Sequence, residues 1–172
     1  MKCILSIFFA LFFVQFAKSQ MGGKEYDCVT KFKLTPKQRL NQFPFNLAKK
    51  IQIISFSKDI LSFPLNKNSI NWSEVKDSVT LNTQQVNSLT EILFNLGFKG
   101  NTYKTSVSTA IGIDVAIVFF NSTNKLFEYI EVCFNCMEFC LVTSKRRKNI
   151  GMPCNERLQK IKDLAIKSGL NL

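Results

Sequence analysis

Histidine is absent from this chain of 172 residues, and glycine and proline are scarce, at seven and four residues. Without histidine, no Ser-His or Cys-His pair can activate a nucleophile, so every catalytic mechanism of that kind is excluded. The chain also lacks a glycine-rich phosphate loop, an internal repeat and a low-complexity tract. Because glycine and proline are scarce, we expect no long linkers, and the length suits one domain.

Carboxylates could still perform hydrolysis, and the candidates are Asp114, Glu128, Glu131 and Glu138. Asp114 interrupts an apolar run, where burial could raise its pKa; the commoner arrangement at a bulge is a hydrogen bond to the backbone. Glu128 and Glu131 point to opposite faces of one predicted strand, so these two carboxylates do not converge. We therefore expect a binding protein without a cofactor rather than an enzyme.

The N-terminus has the pattern of an export signal. A positive charge at Lys2 precedes an apolar run from Ile4 to Ala17, and Ala17 and Ser19 are the small residues that a signal peptidase recognises. This pattern predicts a signal peptide over residues 1–19. The run is shorter than the ~20 apolar residues of a membrane span. We therefore expect export to the periplasm or the extracellular space, with no membrane span after cleavage.

The chain is strongly basic, with a formal net charge of +11. An exported basic protein can bind an acidic protein or an anionic surface such as lipid head groups, whereas nucleic acid is not expected as its partner. Most lysines are isolated, but one predicted loop concentrates four cations, which makes it a candidate site for an anionic partner. A solvated turn is the alternative interpretation. The four residues are Lys145, Arg146, Arg147 and Lys148.

Two segments have the apolar spacing of amphipathic helices. The first runs from Asn82 to Leu96, with Asn82 and Gln85 placed for a capping box and Gly97 expected to end the helix in the left-handed conformation. The second covers residues 155–167, and Ser168-Gly169 should stop it.

Four segments have the composition or alternation of strands. Two of them, Ala110–Phe120 and Leu126–Phe134, are separated by a turn and predict a central antiparallel hairpin. The sequence thus predicts an α+β fold: an antiparallel sheet covered on one face by two amphipathic helices. This single domain would cover residues 49–172, after an irregular N-terminal arm at 20–48 with a helical turn following Pro36. The other two strand segments are Lys50–Phe56 and Phe139–Thr143.

Five cysteines remain after removal of the signal peptide, so one thiol is left over from any internal pairing. In an extended strand, Cys133 and Cys136 point to opposite faces and can bond to each other only if Phe134-Asn135 turns the chain. Cys136 and Cys140 lie ~13 Å apart in such a strand, too far for a disulfide. We therefore expect Cys133 or Cys136 to bond with Cys154. Such a bond would close a loop of roughly 20 residues and stabilise the fold by about 3 kcal/mol. The fifth cysteine is Cys28.

Two other uses of the cysteine cluster stay open. Cys133, Cys136, Cys140 and Cys154 could hold one metal ion through four thiolates, although the second half of the usual zinc spacing is missing. Alternatively, Cys133 and Cys136 form a redox pair, although no helix-forming pattern follows them to lower a thiol pKa.

The C-terminal half resembles small exported proteins of Bacteroidota. The resemblance is carried by Ala116–Phe120, a turn, the segment from Glu128 to Cys136, and Cys154 before an amphipathic helix. In those proteins a hairpin leads into a Cys-Phe-x-Cys strand, and a later cysteine opens the last helix. The resemblance implies export and the fold, and it carries no function. Because Cys28 and Cys140 lie outside the shared pattern, it implies that they are the odd thiols.

The sequence therefore predicts an exported, disulfide-stabilised binding protein whose partner is acidic or anionic. The alternative is a periplasmic thiol-redox or thiolate metal-binding protein that uses Cys133 and Cys136. Asn71 and Asn121 each begin a glycosylation sequon in a predicted turn.

Overall fold

The computed structural model describes residues 28–60, 63–66, 69–98, 112–134, 138–143, 146–149 and 154–172; for 57–60, 66, 98, 138–143, 146–149 and 155 it describes the backbone alone. The strands in these ranges are β1 Cys28–Thr30, β2 Lys50–Ile60, β3 Leu65–Asn66, β4 Ser69–Ile70, β5 Val75–Thr80, β6 Leu96–Phe98, β7 Ile113–Phe120, β8 Leu126–Cys133, β9 Glu138–Thr143 and β10 Arg146–Asn149. The helices are α1 Pro36–Leu40, α2 Thr83–Phe94 and α3 Asn155–Lys167, with a 3₁₀ turn at Trp72–Glu74.

A six-stranded antiparallel sheet in the order β10-β9-β8-β7-β2-β5 forms the centre of the fold. The predicted hairpin is its middle: β7 pairs with β8, with Ile117 opposite Ile130. Helices α2 and α3 cover one face and contribute Leu89 and Ile161 to a core with strand residues such as Ile117. These features confirm the predicted α+β fold with two helices on one face of an antiparallel sheet.

The opposite face of the sheet has an apolar core of its own. Ile54 and Val118 project from the sheet into this core, which the segment around Phe63 and Ile70 covers. The ring of Phe63 stacks on Tyr129 with centroids 4.0 Å apart. Because β7 is buried on both faces, its sequence is nearly continuous in apolar residues instead of alternating.

Helix α2 confirms the predicted capping box, in which Asn82 Oδ1 accepts the Gln85 N–H at 2.9 Å and Gln85 Oε1 accepts the Asn82 N–H at 2.8 Å. Its predicted end at Leu96 is wrong, because residues from Leu96 onward form β6 and pair with β1. Gly97 lies in that strand, where a Cβ would approach Lys31 Cδ to 2.9 Å. A larger residue here would displace the flexible Lys31 side chain, and Gly97 lies in a strand and not at a left-handed cap.

Helix α3 has the predicted bounds, and the stop predicted at Ser168-Gly169 is confirmed. Gly169 takes the left-handed conformation with φ at 98°. None of the helices in the described ranges combines the length and the apolar character needed to cross a bilayer.

The segment 31–49, which we call the strap, follows β1 and lies against α2. Its helix α1 begins with a capping box in which Thr35 Oγ1 accepts the Gln38 N–H at 3.4 Å, so the helical turn predicted after Pro36 is confirmed. Phe45 is buried, with its ring 5.6 Å from Phe94 and 5.1 Å from Phe119. Phe45 therefore anchors the described part of the predicted irregular arm in the main core.

Candidate functional site

The Cys154 sulfur bonds to Cys28, with the two Cα atoms 5.3 Å apart. The expected bond from Cys133 or Cys136 to Cys154 is therefore wrong, and so is the expectation that Cys28 is an odd thiol. The physical reason is tertiary: β1 pairs with β6, directly after α2, and α3 packs against α2. This arrangement brings together two residues that are 126 positions apart in the chain.

Cys133 is also disulfide-bonded, to a sulfur outside the described side chains. Cys136 lies outside the described residues, and Cys140 is described by its backbone, which stands opposite Glu131 in the β8–β9 pair. Among the described side chains, no three metal-ligating residues are grouped closely enough to hold an ion. In this structure Cys133 is thus oxidised, and a thiolate at this position would first require reduction.

Arg157 joins the disulfide to the end of α2. Its backbone N–H donates to Cys28 Sγ at 3.2 Å, and its guanidinium donates to the carbonyl oxygens of Ile92, at 3.1 Å, and Leu93. These carbonyls belong to the last turn of α2, where the helix offers no partner of its own. Burial lowers the pKa of Arg157 to about 10, which leaves it charged at neutral pH. Its role is structural.

Arg39 fixes the inner side of the strap. Although it is charged, it is only 4% exposed. Nη2 donates to Asn87 Oδ1 at 2.6 Å, and Nε donates to Thr90 Oγ1 at 3.3 Å, so the guanidinium lies along α2. Nη1 donates to the Leu34 carbonyl at 2.7 Å and pairs with Glu91 Oε2 at 2.6 Å. The buried charge is therefore compensated by an ion pair and hydrogen bonds.

Asn95 fixes the start of the strap. Its side chain accepts the Leu34 N–H and donates to the Leu34 carbonyl, both at 3.0 Å, as a neighbouring strand would. Its own carbonyl accepts the N–H groups of Lys31, at 2.8 Å, and Phe32, at 3.4 Å. Together with Arg39 and Phe45, these contacts attach the strap to the protein at three points along its length.

The outer side of the strap exposes large apolar side chains. Phe32 is 58% and Leu47 56% exposed, and Phe43 and Leu40 are exposed to a smaller extent. Of the eight large apolar side chains exposed in the described ranges, these four lie within residues 32–47. Single exposed apolar residues are ordinary, but their concentration in one segment makes the strap a candidate site.

The strap is also cationic and contains no Asp or Glu. Its arginine, Arg39, is paired inward with Glu91. Its lysines are exposed, and within the described part of the chain none of their ammonium groups forms an ion pair. The exposed side chains of the strap therefore combine uncompensated positive charge with apolar groups. The lysines are Lys31, Lys33, Lys37 and Lys49.

The basic segment singled out in the sequence takes a different form from the predicted loop. Arg146–Asn149 is strand β10 at the edge of the sheet, with Arg146 opposite Thr143 and Lys148 opposite Leu141. Lys145 lies outside the described residues. Backbone pairing with the mainly apolar strand β9 overrides the loop-like composition. Cations on an edge strand also hinder pairing with another chain, which gives this charge run a structural use.

Two of the four candidate carboxylates, Glu128 and Glu131, do not converge, and the side chain of Glu138 lies outside the described residues. Asp114 Oδ2 accepts the Phe134 N–H at 2.6 Å, which confirms the expected backbone hydrogen bond. Glu128 stands opposite Phe119, and Glu131 stands opposite Ala116, so their register places them on opposite faces, as predicted.

Glu128 lies on the helix-covered face and is 8% exposed. Its Oε2 atom accepts no hydrogen bond from the described residues, and burial raises the pKa of this carboxyl. A buried carboxyl in this position costs stability whenever it is ionised.

No protein-family model, curated protein or solved structure matches this chain. The resemblance to exported proteins of Bacteroidota therefore stays a prediction.

Sequence reasoning predicts an irregular arm here and misses the strap. Two signals in the sequence could have identified it. One is the spacing of Thr35 and Gln38 around Pro36, a capping box with proline at the first helical position. The other is a stretch from residue 28 to residue 58 without any Asp or Glu. No local sequence pattern predicts that Arg39 is buried, because its hydrogen-bond partners Asn87 and Thr90 lie in α2.

Proposed function

We propose that this is an exported, disulfide-stabilised binding protein that recognises an anionic partner and is not an enzyme. One observation carries the proposal: the strap exposes four lysines that form no ion pair with the described residues. Unpaired cations that share a surface attract anionic partners and speed their association.

The attachment of the strap supports this function. Asn95, Arg39 and Phe45 hold it along its length, and the Cys28–Cys154 bond fixes the strand that leads into it. A surface that is ordered before binding loses little conformational entropy when the partner arrives. The basic segment Lys145–Lys148 remains a second candidate for the same class of partner.

Two features support export. The sequence predicts a signal peptide over residues 1–19. The chain also carries the Cys28–Cys154 disulfide, and disulfides persist mainly in oxidising compartments. The periplasm and the extracellular space both meet that condition.

One alternative is a thiol-redox protein that uses Cys133 and Cys136, and it requires that the disulfide at Cys133 be reducible. A redox pair should be reduced readily by dithiol carriers and should then alkylate fast at neutral pH. Intact mass after alkylation, with and without a limiting dithiol, measures this. If Cys133 becomes alkylated while Cys28 and Cys154 stay bonded, the alternative replaces the binding function. The thiolate metal site requires the same reduction and can be tested on the reduced protein by adding zinc.

The binding function is tested with polyglutamate as an acidic probe. The protein should bind it with an affinity that falls as salt rises. Replacing Lys31, Lys33 and Lys37 by glutamine should weaken binding by at least about tenfold. The matched control replaces Lys160, Lys162 and Lys167 of α3 in the same way, which removes the same charge from another surface. Equal losses in the two variants would mean that net charge alone acts, and the strap would not be the site.

A further inference from the structure

We infer that the anionic partner of the strap is a lipid surface, whose phosphate groups contact the lysines while Phe32, Leu40, Phe43 and Leu47 enter its interfacial layer. The inference rests on the proposed function, because it names the partner of the same surface. It adds a role for the four exposed apolar side chains, which an acidic ligand in solution does not require.

Charge and apolar exposure coincide along the strap. Lys31 and Lys33 flank Phe32, and Lys49 follows Leu47 by two residues. An acidic polypeptide would engage the ammonium groups and leave Phe32 and Leu47, both more than half exposed, in contact with water. An anionic bilayer suits both kinds of side chain. Its head groups attract the basic side chains, and its acyl boundary takes up the apolar ones.

The inner contacts of the strap determine how its outer side meets such a surface. Arg39 and Phe45 are buried against α2 and the sheet, while Leu40, Phe43 and Leu47 alternate with them and are exposed. The strap is thus anchored on one side and free to contact a membrane on the other. It can insert these side chains without unfolding, so binding should be reversible and peripheral.

Vesicle cosedimentation tests the inference. The probes are phosphatidylcholine vesicles and phosphatidylcholine vesicles that contain phosphatidylserine. We expect binding to the anionic vesicles alone, weakened by salt. K33Q/K37Q should reduce it roughly 30-fold, at about 1 kcal/mol per lysine. F43S/L47S should reduce it at least about tenfold, because two apolar side chains no longer leave water.

The matched control is I166S, which removes an apolar side chain of α3 that is 51% exposed. This variant should bind the anionic vesicles within about twofold of the unchanged protein. Circular dichroism and the melting temperature check that each variant is folded, which is expected because the substituted side chains are exposed.

Insertion itself can be followed by fluorescence, because the chain has a single tryptophan, Trp72, at a distance from the strap in sequence. In W72F/F43W the new indole replaces an exposed ring of the strap. On anionic vesicles its emission should shift to the blue, and brominated lipid should quench it. In the unchanged protein, Trp72 should respond to neither.

The outcomes separate this inference from the proposed function. If polyglutamate binds as tightly as the anionic vesicles and F43S/L47S changes neither affinity, the lipid inference is wrong and the anionic-partner function stands. If neither probe binds, both are wrong. If F43S/L47S loses the vesicles and keeps polyglutamate, and the F43W emission shifts, the lipid inference is confirmed.

Discussion

The strap and strand β10 are both rich in cations, yet they differ in what surrounds the charge. The strap spreads four lysines over residues 31–49, between exposed apolar side chains, and its inner side is held by α2. Strand β10 concentrates Arg146, Arg147 and Lys148 at the edge of the sheet, where β9 is its described neighbour. On the proposed function, charge combined with apolar exposure is a better guide to the binding surface than a dense run of charge.

The strongest way to disrupt this comparison is to detach the start of the strap. C28S/C154S removes a disulfide that spans 126 positions, which in the chain-entropy model contributes about 5 kcal/mol. We expect the melting temperature to fall by roughly 10–20 °C. Calorimetry of the variant beside the unchanged protein measures the loss. A change of only a few degrees would show that the strap is held without this bond.

Loosening the inner side of the strap should have a smaller effect. R39M keeps the approximate volume of the side chain and removes its bonds to Leu34, Asn87 and Glu91. We expect a loss of about 2–3 kcal/mol, less than for a fully buried pair because Glu91 is 46% exposed. Urea unfolding measures it. The control K37M changes an exposed cation of the same helix and should stay within about 0.5 kcal/mol.

Glu128, in strand β8, is a buried carboxyl whose effect on stability should depend on pH. Because burial raises the pKa of Glu128 in the folded state, folding favours its protonated form. Its favourable contribution is present at low pH and is lost as pH rises from the unfolded pKa through the folded pKa. E128Q should therefore stabilise the protein by about 1 kcal/mol at pH 7 and by nothing below about pH 4. Unfolding at both pH values measures this, and equal effects would contradict it.

The smallest effect on stability is expected for β10 itself. R146T/K148T replaces two cations of the edge strand with residues that suit a strand, so stability should change by less than about 0.5 kcal/mol. Self-association should increase instead, because the edge has lost the charges that hinder pairing. Light scattering against protein concentration measures this. If the variant does not self-associate but loses polyglutamate binding, the cations of β10 act in recognition. In that case β10, and not the strap, is the binding surface.

Local patterns in the sequence predicted much of the fold. The bounds of α3, the capping box of α2 and the β7–β8 hairpin follow from apolar spacing and turn residues, which depend on neighbours in the chain. The end of α2 could not be predicted from such local patterns, because residues from Leu96 onward pair with β1, which is far away in sequence.

The candidate site was less accessible to sequence reasoning. Neither the Cys28–Cys154 bond nor the inward turn of Arg39 has a local signature, since each depends on how distant elements pack. The exposure of Phe43 and Leu47 is equally hidden, because the sequence alone does not tell an apolar surface residue from a core residue.

The claim that the strap, and not β10, contacts the partner can be tested directly by amide hydrogen–deuterium exchange with and without anionic vesicles. The account predicts new protection in peptides that cover residues 31–49, with no change in peptides that cover 138–149. Protection confined to 138–149, with the strap unchanged, would contradict it.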